Sequence, residues 1–440
     1  MDFVFSCPSL QAGVVQKPGS IADQSAAMRI RHLHLSDYRN FPRLDLALPA
    51  GPTIILGANA QGKSNLLEAI HLLATMRSSR TATDAELIRR QVDPLAGPPL
   101  GRLVAEVEGQ AGPLRLEMTV VGRSGQPLPL GGEQSPGGHA TKTVRVNGLA
   151  RRLSEAVGQL AAVLFTAHDM DMVVGPPSLR RRYLDIAISQ VDGAYLRALQ
   201  RYAKVLLQRN HLLKRLQDGS ARREELAFWD EQLVLEGSAI VGARAQAVSS
   251  LIPLAAAAHA DLSEGREELC LLYQPHLGSA IDGHPAASLA GHELAAAFAQ
   301  ELSRWCEREV RAGATILGPH RDDLLVQLDG VSAAAFASRA QQRTIALALR
   351  LAEARFLRQR RGDSPVLLLD DVLSELDARR RAAVLAAVAD YEQVLFTATD
   401  LDRFSPDFLE RAALFRVAEG AVEPMPDPVV ERGEATGGAA

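Results

Sequence analysis

Two short segments of the chain carry residue types that bind phosphate and magnesium. In 57–64, two glycines separated by four residues are followed by lysine and serine, which is P-loop spacing. Its candidate phosphate-binding residues are Gly57, Ala58, Asn59, Ala60, Gln61, Gly62, Lys63 and Ser64. The second segment is Asp370-Asp371, whose carboxylates are hard oxygen ligands. A nucleotide can bind only if the fold brings these distant segments together.

The flanks of the first segment predict the element that a P-loop requires. Residues 53–56 (Thr-Ile-Ile-Leu) are typical of a buried strand, and apolar residues recur at helical spacing from Leu66 to Ala74. The glycines therefore lie at a strand-to-helix turn whose free N–H groups can cradle phosphate oxygens. Lys63 would reach the β- and γ-phosphates as a point charge, and the Ser64 hydroxyl would bind magnesium.

The use of lysine supports this interpretation. The chain has 48 basic residues, of which only Lys17, Lys63, Lys142, Lys204 and Lys214 are lysines. A lysine retained at position 63 indicates a need for a compact ammonium, because a planar guanidinium would not fit among the backbone amides.

The second segment follows an apolar run that predicts a central parallel strand, 366–369. Open α/β sheets bind ligands at the carboxyl ends of such strands, so Asp370 could reach magnesium directly or through water. Asp371 could then orient or deprotonate the attacking water. Taken alone, the pair could simply end a strand, but together with the P-loop it favours a nucleotide site.

Two further segments flank the aspartate pair and suggest a nucleotide held between two subunits. Ser338 is predicted to be the N-cap of a long helix, whose free amides, near Gln341 and Gln342, could bind a γ-phosphate. Residues 374–377 follow the strand where a turn would lie along a dimer interface. Each segment alone could be an ordinary cap or loop, and only their order supports the functional interpretation.

These motifs resemble those of the RecF family of bacterial DNA-repair ATPases, which are related to SMC-type members of the ABC ATPase superfamily. The resemblance extends from about residue 28 to residue 402. Besides the P-loop it depends on 33–41, 180–185, 318–323 and 367–377. Segment 318–323 (Gly-Pro-His-Arg-Asp-Asp) is the most distinctive, and the sequence assigns it no chemical role beyond holding a returning strand.

The resemblance implies an α/β fold: an ABC/SMC-type P-loop ATPase head with an antiparallel β subdomain and an inserted, mainly helical arm. The predicted divisions are a disordered extension (1–27), the head with the P-loop (28–178), the arm (179–314), the head with the signature segment and Walker B strand (315–418) and a disordered tail (419–440). It also adds Arg39, Asn40 and Asp377 to the candidate ATP-binding residues.

The resemblance further implies an ATP- and Mg²⁺-dependent homodimer that binds single-stranded and gapped duplex DNA. Such a protein acts with RecO and RecR to help load RecA, and slow, DNA-stimulated ATP hydrolysis releases the DNA. The signature segment of one subunit, which contains Ser338, would complete the nucleotide site of the other.

Periodicity predicts what separates the two halves of the head. Residues 104–121 and 143–146 alternate as antiparallel strands do, around a polar loop from 122 to 141. Helical spacing then prevails, in residues 195–213, 233–251 and 294–305. These segments predict the arm, resembling a much shortened SMC coiled coil; alternatively they are a helical part of the same core.

Two departures from the family pattern affect the site. Ala340 occupies a signature position where the family has glycine, so a methyl group stands where backbone should approach phosphate. No histidine follows the last predicted strand, 394–398, where many ABC ATPases have a γ-phosphate sensor. Thr397 or Thr399 could substitute for it.

Overall charge does not indicate nucleic-acid binding. The formal net charge is −4, so DNA contacts would have to come from local arginine patches. The candidates are Arg151, Arg152, Arg180, Arg181 and Arg182, and two further basic segments are 222–223 and 358 with 360–361. Charge runs are more often solvated surfaces than binding sites.

Composition also bears on compartment. Three scattered cysteines do not form a disulfide framework or a zinc site, which favours a reducing cytoplasm. No apolar run approaches the length of a membrane span, and residues 1–27 do not resemble a secretion signal.

Two other function classes remain open at this stage. One is the ATPase subunit of an ABC transporter or another complex, which the inserted arm disfavours. The other is a non-hydrolysing, ATP-gated scaffold. Asp371 distinguishes the scaffold from a slow ATPase, because it is one methylene shorter than the glutamate common at this position in ABC ATPases.

Overall fold

The computed structural model describes residues 28–81, 83–90, 98–122, 140–278, 288–289 and 291–425. The predicted N-terminal extension, residues 123–139 of the predicted loop and the tail beyond 425 lie outside these ranges.

The secondary structure is given in chain order. The strands are β1 (Arg29–Tyr38), β2 (Phe41–Ala47), β3 (Gly51–Leu56), β4 (Leu100–Glu108), β5 (Leu114–Gly122), β6 (Ala140–Val146), β7 (Leu149–Arg151), β8 (Ala162–Phe165), β9 (Leu269–Gln274), β10 (Asp323–Leu328), β11 (Val331–Ser332), β12 (Val366–Asp370), β13 (Gln393–Ala398), β14 (Ala413–Ala418) and β15 (Ala421–Pro424). The helices are α1 (Lys63–Thr75), α2 (Leu153–Ala156), α3 (Asp171–Val174), α4 (Pro177–Ser189), α5 (Gly193–Gln217), α6 (Leu226–Ser263), α7 (Gly291–Ala312), α8 (Ala333–Phe336), α9 (Arg339–Arg361), α10 (Ala378–Val388) and α11 (Pro406–Leu409).

The described residues divide into two compact units. The head unit comprises 28–168 and 357–425, and the arm unit comprises 169–356. The arm unit is thus larger than the predicted arm, 179–314, because 315–356 belongs to it as well. The cause is pairing between segments that are distant in sequence: β10 pairs antiparallel with β9, and Arg180 of α4 binds Asp323 at the start of β10.

A mainly parallel sheet carries the nucleotide-site strands of the head unit. Its strand order is β15-β14-β3-β13-β12-β8, and β12 pairs in parallel with β13 and with β8. Leu367, Leu368 and Leu369 are fully buried, as expected for a strand covered on both faces. The predicted strand before the aspartate pair is therefore confirmed, and so is the strand before the P-loop.

An antiparallel sheet forms the second layer of the head unit, with strand order β2-β1-β4-β5-β6-β7. The predicted alternation is confirmed. On β1, Leu33 and Leu35 enter a core that also contains Leu66 of α1 and Leu368 of β12, whereas His32 and His34 face outward. This shared core fixes the β1–β2 hairpin relative to the P-loop helix.

The arm unit is mainly helical, as predicted from the spacing of its apolar residues. Helix α6 packs against α5 and α7, and a small antiparallel sheet of order β11-β10-β9 lies beside it. The observed fold is therefore the predicted class: an ATPase head with an antiparallel β subdomain and a mainly helical insertion.

Helix α6 also bears on the membrane question. The segment 223–263 is long and apolar enough to cross a membrane by length and composition, which the sequence analysis did not anticipate. A buried helix of a soluble protein meets the same criterion. Buried Arg244, in the middle of this segment, forms ion pairs with Asp185 and Asp322 within the arm unit.

The predicted disordered tail needs one correction. Residues 421–424 form β15, which pairs antiparallel with β14, although the prediction starts the tail at 419. The reversal is possible because Glu419 and Gly420 both adopt positive φ, at 48° and 79°. The prediction was based on the Pro, Glu and Gly content of the tail as a whole, which does not reveal a strand of four residues.

Candidate nucleotide-binding site

The P-loop joins β3 to α1 with a backbone that its glycines permit. Gly62, the N-cap of α1, has φ 113°. A Cβ on Gly62 would lie 2.4 Å from the Asn40 amide nitrogen, and one on Gly57 would lie 2.6 Å from the Val417 carbonyl oxygen. Side chains are therefore excluded at both positions, and the loop keeps its N–H groups close to where phosphate would bind.

Lys63 folds back over this loop. Its Nζ donates to the carbonyl oxygens of Gly57, at 2.5 Å, and Ala58, at 3.0 Å. Burial lowers the pKa of Lys63, and the carboxylates of Asp371 and Asp370 oppose this shift. The ammonium is thus held at the mouth of the P-loop beside the aspartate pair.

The two distant motifs meet at Ser64 and Asp370. Ser64 Oγ donates to Asp370 Oδ1 at 2.8 Å, and Thr397 Oγ1 donates to the same oxygen at 2.8 Å. The prediction that the fold joins the segments is confirmed. Hydroxyl and carboxylate oxygens are the ligands that Mg²⁺ prefers, so Ser64 and Asp370 fit such an ion.

Asp371 leaves the sheet with an unusual backbone. Its φ is 52°, and its N–H donates to Thr397 Oγ1 at 2.9 Å. Positive φ is uncommon for a residue with a side chain and occurs often at functional sites. Burial raises the pKa of Asp371, whereas a hydrogen bond from Ser374 and the charge of Lys63 act in the opposite direction.

The turn between β1 and β2 brings Arg39 and Asn40 to the P-loop. Asn40 Nδ2 donates to the Gln61 carbonyl at 2.9 Å, and Asn65 Nδ2 donates to Asn40 Oδ1 at 2.8 Å. Arg39 forms two hydrogen bonds, of 3.0 and 2.8 Å, to Glu68 of α1, whose side chain is 1% exposed. Glu68 therefore holds Arg39 beside the site.

The signature segment begins α9 in the arm unit. Ser338 Oγ accepts from the Gln341 N–H at 3.3 Å, and Gln341 Oε1 accepts from the Ser338 N–H at 2.7 Å. This capping box confirms the predicted N-cap. Gln341 Nε2 also donates to Glu267 at 2.9 Å, and Gln342 Nε2 donates to the Ala337 carbonyl at 2.7 Å. Ala340 is exposed in the first turn.

Two other predicted ATP-binding residues have local partners. Asp377 is the N-cap of α10 and accepts from the Arg380 N–H at 2.9 Å. The Thr399 hydroxyl donates to Asp400 at 3.0 Å. Of the two candidate sensor threonines it is thus Thr397, and not Thr399, that contacts Asp370.

The motif 318–323 forms part of a buried polar network in the arm unit. Asp322 accepts from Arg244 at 2.9 Å, from the Tyr273 hydroxyl at 2.5 Å and from the His276 N–H at 2.8 Å. Burial lowers the pKa of His320 to about 4. A Cβ on Gly318 would lie 2.4 Å from the Tyr202 hydroxyl. The motif therefore has a packing role that its sequence did not reveal.

This network corrects part of the DNA-contact prediction. Arg180 is buried and binds both oxygens of Asp323, at 2.7 and 2.8 Å, and Arg181 donates to the Asp322 carbonyl at 2.7 Å. Both guanidinium groups thus form hydrogen bonds within the arm unit. Arg182 also has an interaction within the protein. Arg151 and Arg152, in contrast, are exposed in the head unit.

The sequence did not predict the contacts of three residues at the site. Thr397 was considered only as a phosphate sensor, and neither Glu68 nor Glu267 was considered. Glu68 could have been found because an acidic residue on the apolar face of α1 needs a buried partner. Glu267 contacts Gln341 across 74 positions of the chain and has no local signal.

The fold and site define the class of this protein. The model of the RecF/RecN/SMC N-terminal domain matches residues 29–406, so the chain belongs to that class of P-loop ATPases. An Smc head domain from Pyrococcus furiosus resembles it in fold, with a TM-score of 0.50 at 15% identity, covering 93% of this chain and 98% of that one.

Similarity within the class is more specific. The chain is 45% identical over 406 residues to the DNA replication and repair protein RecF of Chloroflexus aurantiacus, covering 90% of this chain and 99% of the relative. It is 42% identical to RecF of Roseiflexus castenholzii, covering 90% and 100%. The chain belongs to the RecF family of DNA replication and repair proteins.

A solved structure of a relative extends this likeness. The recombination mediator protein RecF-ATP of the RecFOR pathway superposes with a TM-score of 0.79 at 27% identity, covering 92% of this chain and 100% of that one.

Proposed function

We propose that this chain is an ATP-dependent DNA-binding protein of recombinational repair and replication. The contact between Ser64 and Asp370 carries the proposal, because it joins a P-loop to an acidic strand end in one site. The RecF-ATP relative supports ATP as the nucleotide. ATP binding closes a homodimer on DNA, and slow hydrolysis releases it.

The nucleotide-site residues of the head unit have separate parts in this function. The P-loop amides bind the phosphates, and Lys63 exchanges its bonds to Gly57 and Ala58 for the β- and γ-phosphates. Ser64 and Asp370 would hold Mg²⁺, which would neutralise phosphate charge when bound. Asp371 acts as the general base, and burial gives its carboxylate the raised pKa that suits a base.

The second subunit supplies the signature segment. Ser338 is exposed at the start of a long helix, so its hydroxyl and the first free amides of α9 can bind a γ-phosphate of the partner's nucleotide. Asp377 is exposed just before α10, and we assign it to the same interface between two subunits.

DNA is the proposed macromolecular ligand, in single-stranded and gapped duplex form. Arg151 and Arg152 are exposed and can contact phosphates without reading sequence. RecO and RecR are the proposed protein partners because the solved relative is described as part of the RecFOR pathway. The proposed compartment is the cytoplasm.

DNA binding in the presence and absence of ATP tests this proposal. We expect affinity for gapped DNA to rise at least about 10-fold with ATP, which is within the usual range of coupling between two ligands. Lys63→Met should lose the ATP effect, whereas Lys204→Met, at an exposed position of α5, should retain it. Equal affinity of the wild type with and without ATP contradicts the proposal.

A non-hydrolysing ATP-gated scaffold is the second candidate. The short side chain of Asp371 and its hydrogen-bonded, positive-φ backbone favour it, since both limit how far the carboxylate can reach. Hydrolysis rates of the wild type and of Asp371→Asn separate the two functions.

A further inference from the structure

A cluster of metal-ligating side chains lies on the outer face of the β1–β2 hairpin. His32 and His34 are two residues apart on β1 and so point to the same side of the strand. Asp45 of β2 pairs directly with His34 in the register. Asp45 Oδ1 lies 3.1 Å from His34 Nδ1 and 3.6 Å from His32 Nδ1.

The three donor atoms converge as ligands of one ion would. One nitrogen or oxygen from each residue lies within 4.8 Å of the others. Ligands about 2.1 Å from a tetrahedral zinc are about 3.4 Å apart. Small side-chain rotations would therefore bring all three donor atoms to coordination distance. The imidazole rings stack with centroids 5.7 Å apart and planes 13° from parallel, so they already share an orientation.

The surroundings leave this cluster open on the solvent side. His32 and Asp45 side chains are 42% and 60% exposed, so water can complete the coordination. His32 Nδ1 is shielded from solvent and has no hydrogen-bond partner among the described residues. A metal ion would satisfy this nitrogen.

The charged neighbours on the same face are largely neutralised. Glu106 of β4 lies opposite His32 in the register and forms an ion pair with Arg115. Arg102 pairs with Glu117 at 2.9 Å. Arg43, two residues before Asp45 on β2, is a further cation on this face.

We propose that His32, His34 and Asp45 form a binding site for a divalent transition metal of the zinc class. Two imidazoles and one carboxylate suit Zn²⁺ and Ni²⁺ better than Mg²⁺ or Ca²⁺, which prefer oxygen ligands alone. This site is separate from the Ser64–Asp370 site and uses different chemistry.

The position of the site gives it a consequence for the head unit. Its ligands come from both strands of the hairpin, so a bound ion would cross-link β1 to β2. The same hairpin ends in the Arg39–Asn40 turn, where Asn40 donates to the P-loop at Gln61. Metal binding therefore stiffens the element that carries Asn40.

Zinc titration by calorimetry of the full chain tests the site, with cobalt absorption as a second readout of coordination. We expect one ion per chain at this site, at least about 10-fold weaker binding in Asp45→Asn and His34→Gln, and unchanged binding in His211→Gln. His211 is an exposed histidine of α5 and serves as the matched control. Circular dichroism without metal checks the fold of each variant.

A gain-of-ligand variant keeps the test decisive if a loss variant fails to fold. Ala47 pairs with His32 across the hairpin and is exposed on the same face as Asp45. Ala47→His should tighten zinc binding and increase the zinc-dependent rise in Tm. Zinc affinity that is the same in the wild type and in all folded hairpin variants overturns the proposal.

Discussion

At the scale of single residues, the site depends on contacts between side chains that are far apart in the chain. Glycine spacing, Lys63 and the aspartate pair were all predictable, because each has a local pattern. The hydrogen bonds from Thr397 to Asp370 and from Arg39 to Glu68 were not, since no spacing rule relates residues on different strands and helices. The candidate residues could be named from sequence, but the partners that position them could not.

Asp371 carries the sharpest prediction at this scale. As the proposed general base, it should contribute about 10²- to 10⁴-fold to ATP turnover. We expect Asp371→Asn to lose this factor while keeping ATP-dependent dimerisation, measured by phosphate release and by light scattering. Glu410→Gln, an exposed acidic residue of the head unit, serves as the control. Equal background-level hydrolysis in the wild type and in Asp371→Asn favours the scaffold instead.

The pH dependence of turnover follows from the same residue. Only the deprotonated carboxylate can accept a proton, and burial raises the pKa of Asp371 above its usual value of 3.8. Turnover should therefore fall as the pH is lowered through this raised pKa. The loss should begin at a higher pH than it would for a solvent-exposed aspartate.

At the scale of elements, the start of α9 was predicted correctly, but one of its tertiary contacts was not predicted. Its N-cap could be read from Ser338 and Gln341, which form the capping box. The sequence did not predict that Glu267, before β9, would hold the Gln341 amide. The arm unit extends beyond the predicted arm for a similar reason, because pairing between β9 and β10 connects segments that are distant in sequence.

Ala340 provides the prediction for this element. Its methyl group is exposed in the first turn of α9, where a partner's phosphate would approach. Ala340→Gly should strengthen ATP-dependent dimerisation and raise hydrolysis, at a cost to stability of up to about 1 kcal/mol from lower helix propensity. Analytical ultracentrifugation with ATP measures the effect, and Ala335→Gly, at an exposed position of α8, is the control. No change in dimerisation or hydrolysis would contradict the steric explanation.

At the scale of the whole molecule, arginines serve two different purposes. The net charge of −4 gives no general attraction to DNA, so function depends on which arginines are free to act. Composition and charge runs could not separate exposed Arg151 from buried Arg180, because both occur in basic runs. Burial and partners make the distinction.

Replacing a buried arginine should lower stability, whereas replacing an exposed arginine should weaken DNA binding. Arg180→Gln leaves Asp323 without its buried partner and should lower the free energy of unfolding by about 3–5 kcal/mol. Arg151→Gln should change stability by less than about 0.5 kcal/mol, as is usual for surface substitutions. It should instead weaken DNA binding and reduce the salt slope by about 0.9 if it contacts one phosphate. Urea unfolding and salt-dependent DNA titration measure these effects. A stable Arg180→Gln variant would contradict the structural role.

The network around Asp322 also affects how related sequences should be interpreted. Segment 318–323 is the most distinctive part of the family resemblance, and in the structure Asp322 of this motif holds together parts of the arm unit. A descendant of this chain could lose Lys63 or Asp371, and with them the proposed ATP hydrolysis, while the requirements of folding kept the motif. The most recognisable part of the sequence is therefore a marker of architecture, and a relative without the proposed ATPase activity could carry it as faithfully as a relative that has this activity.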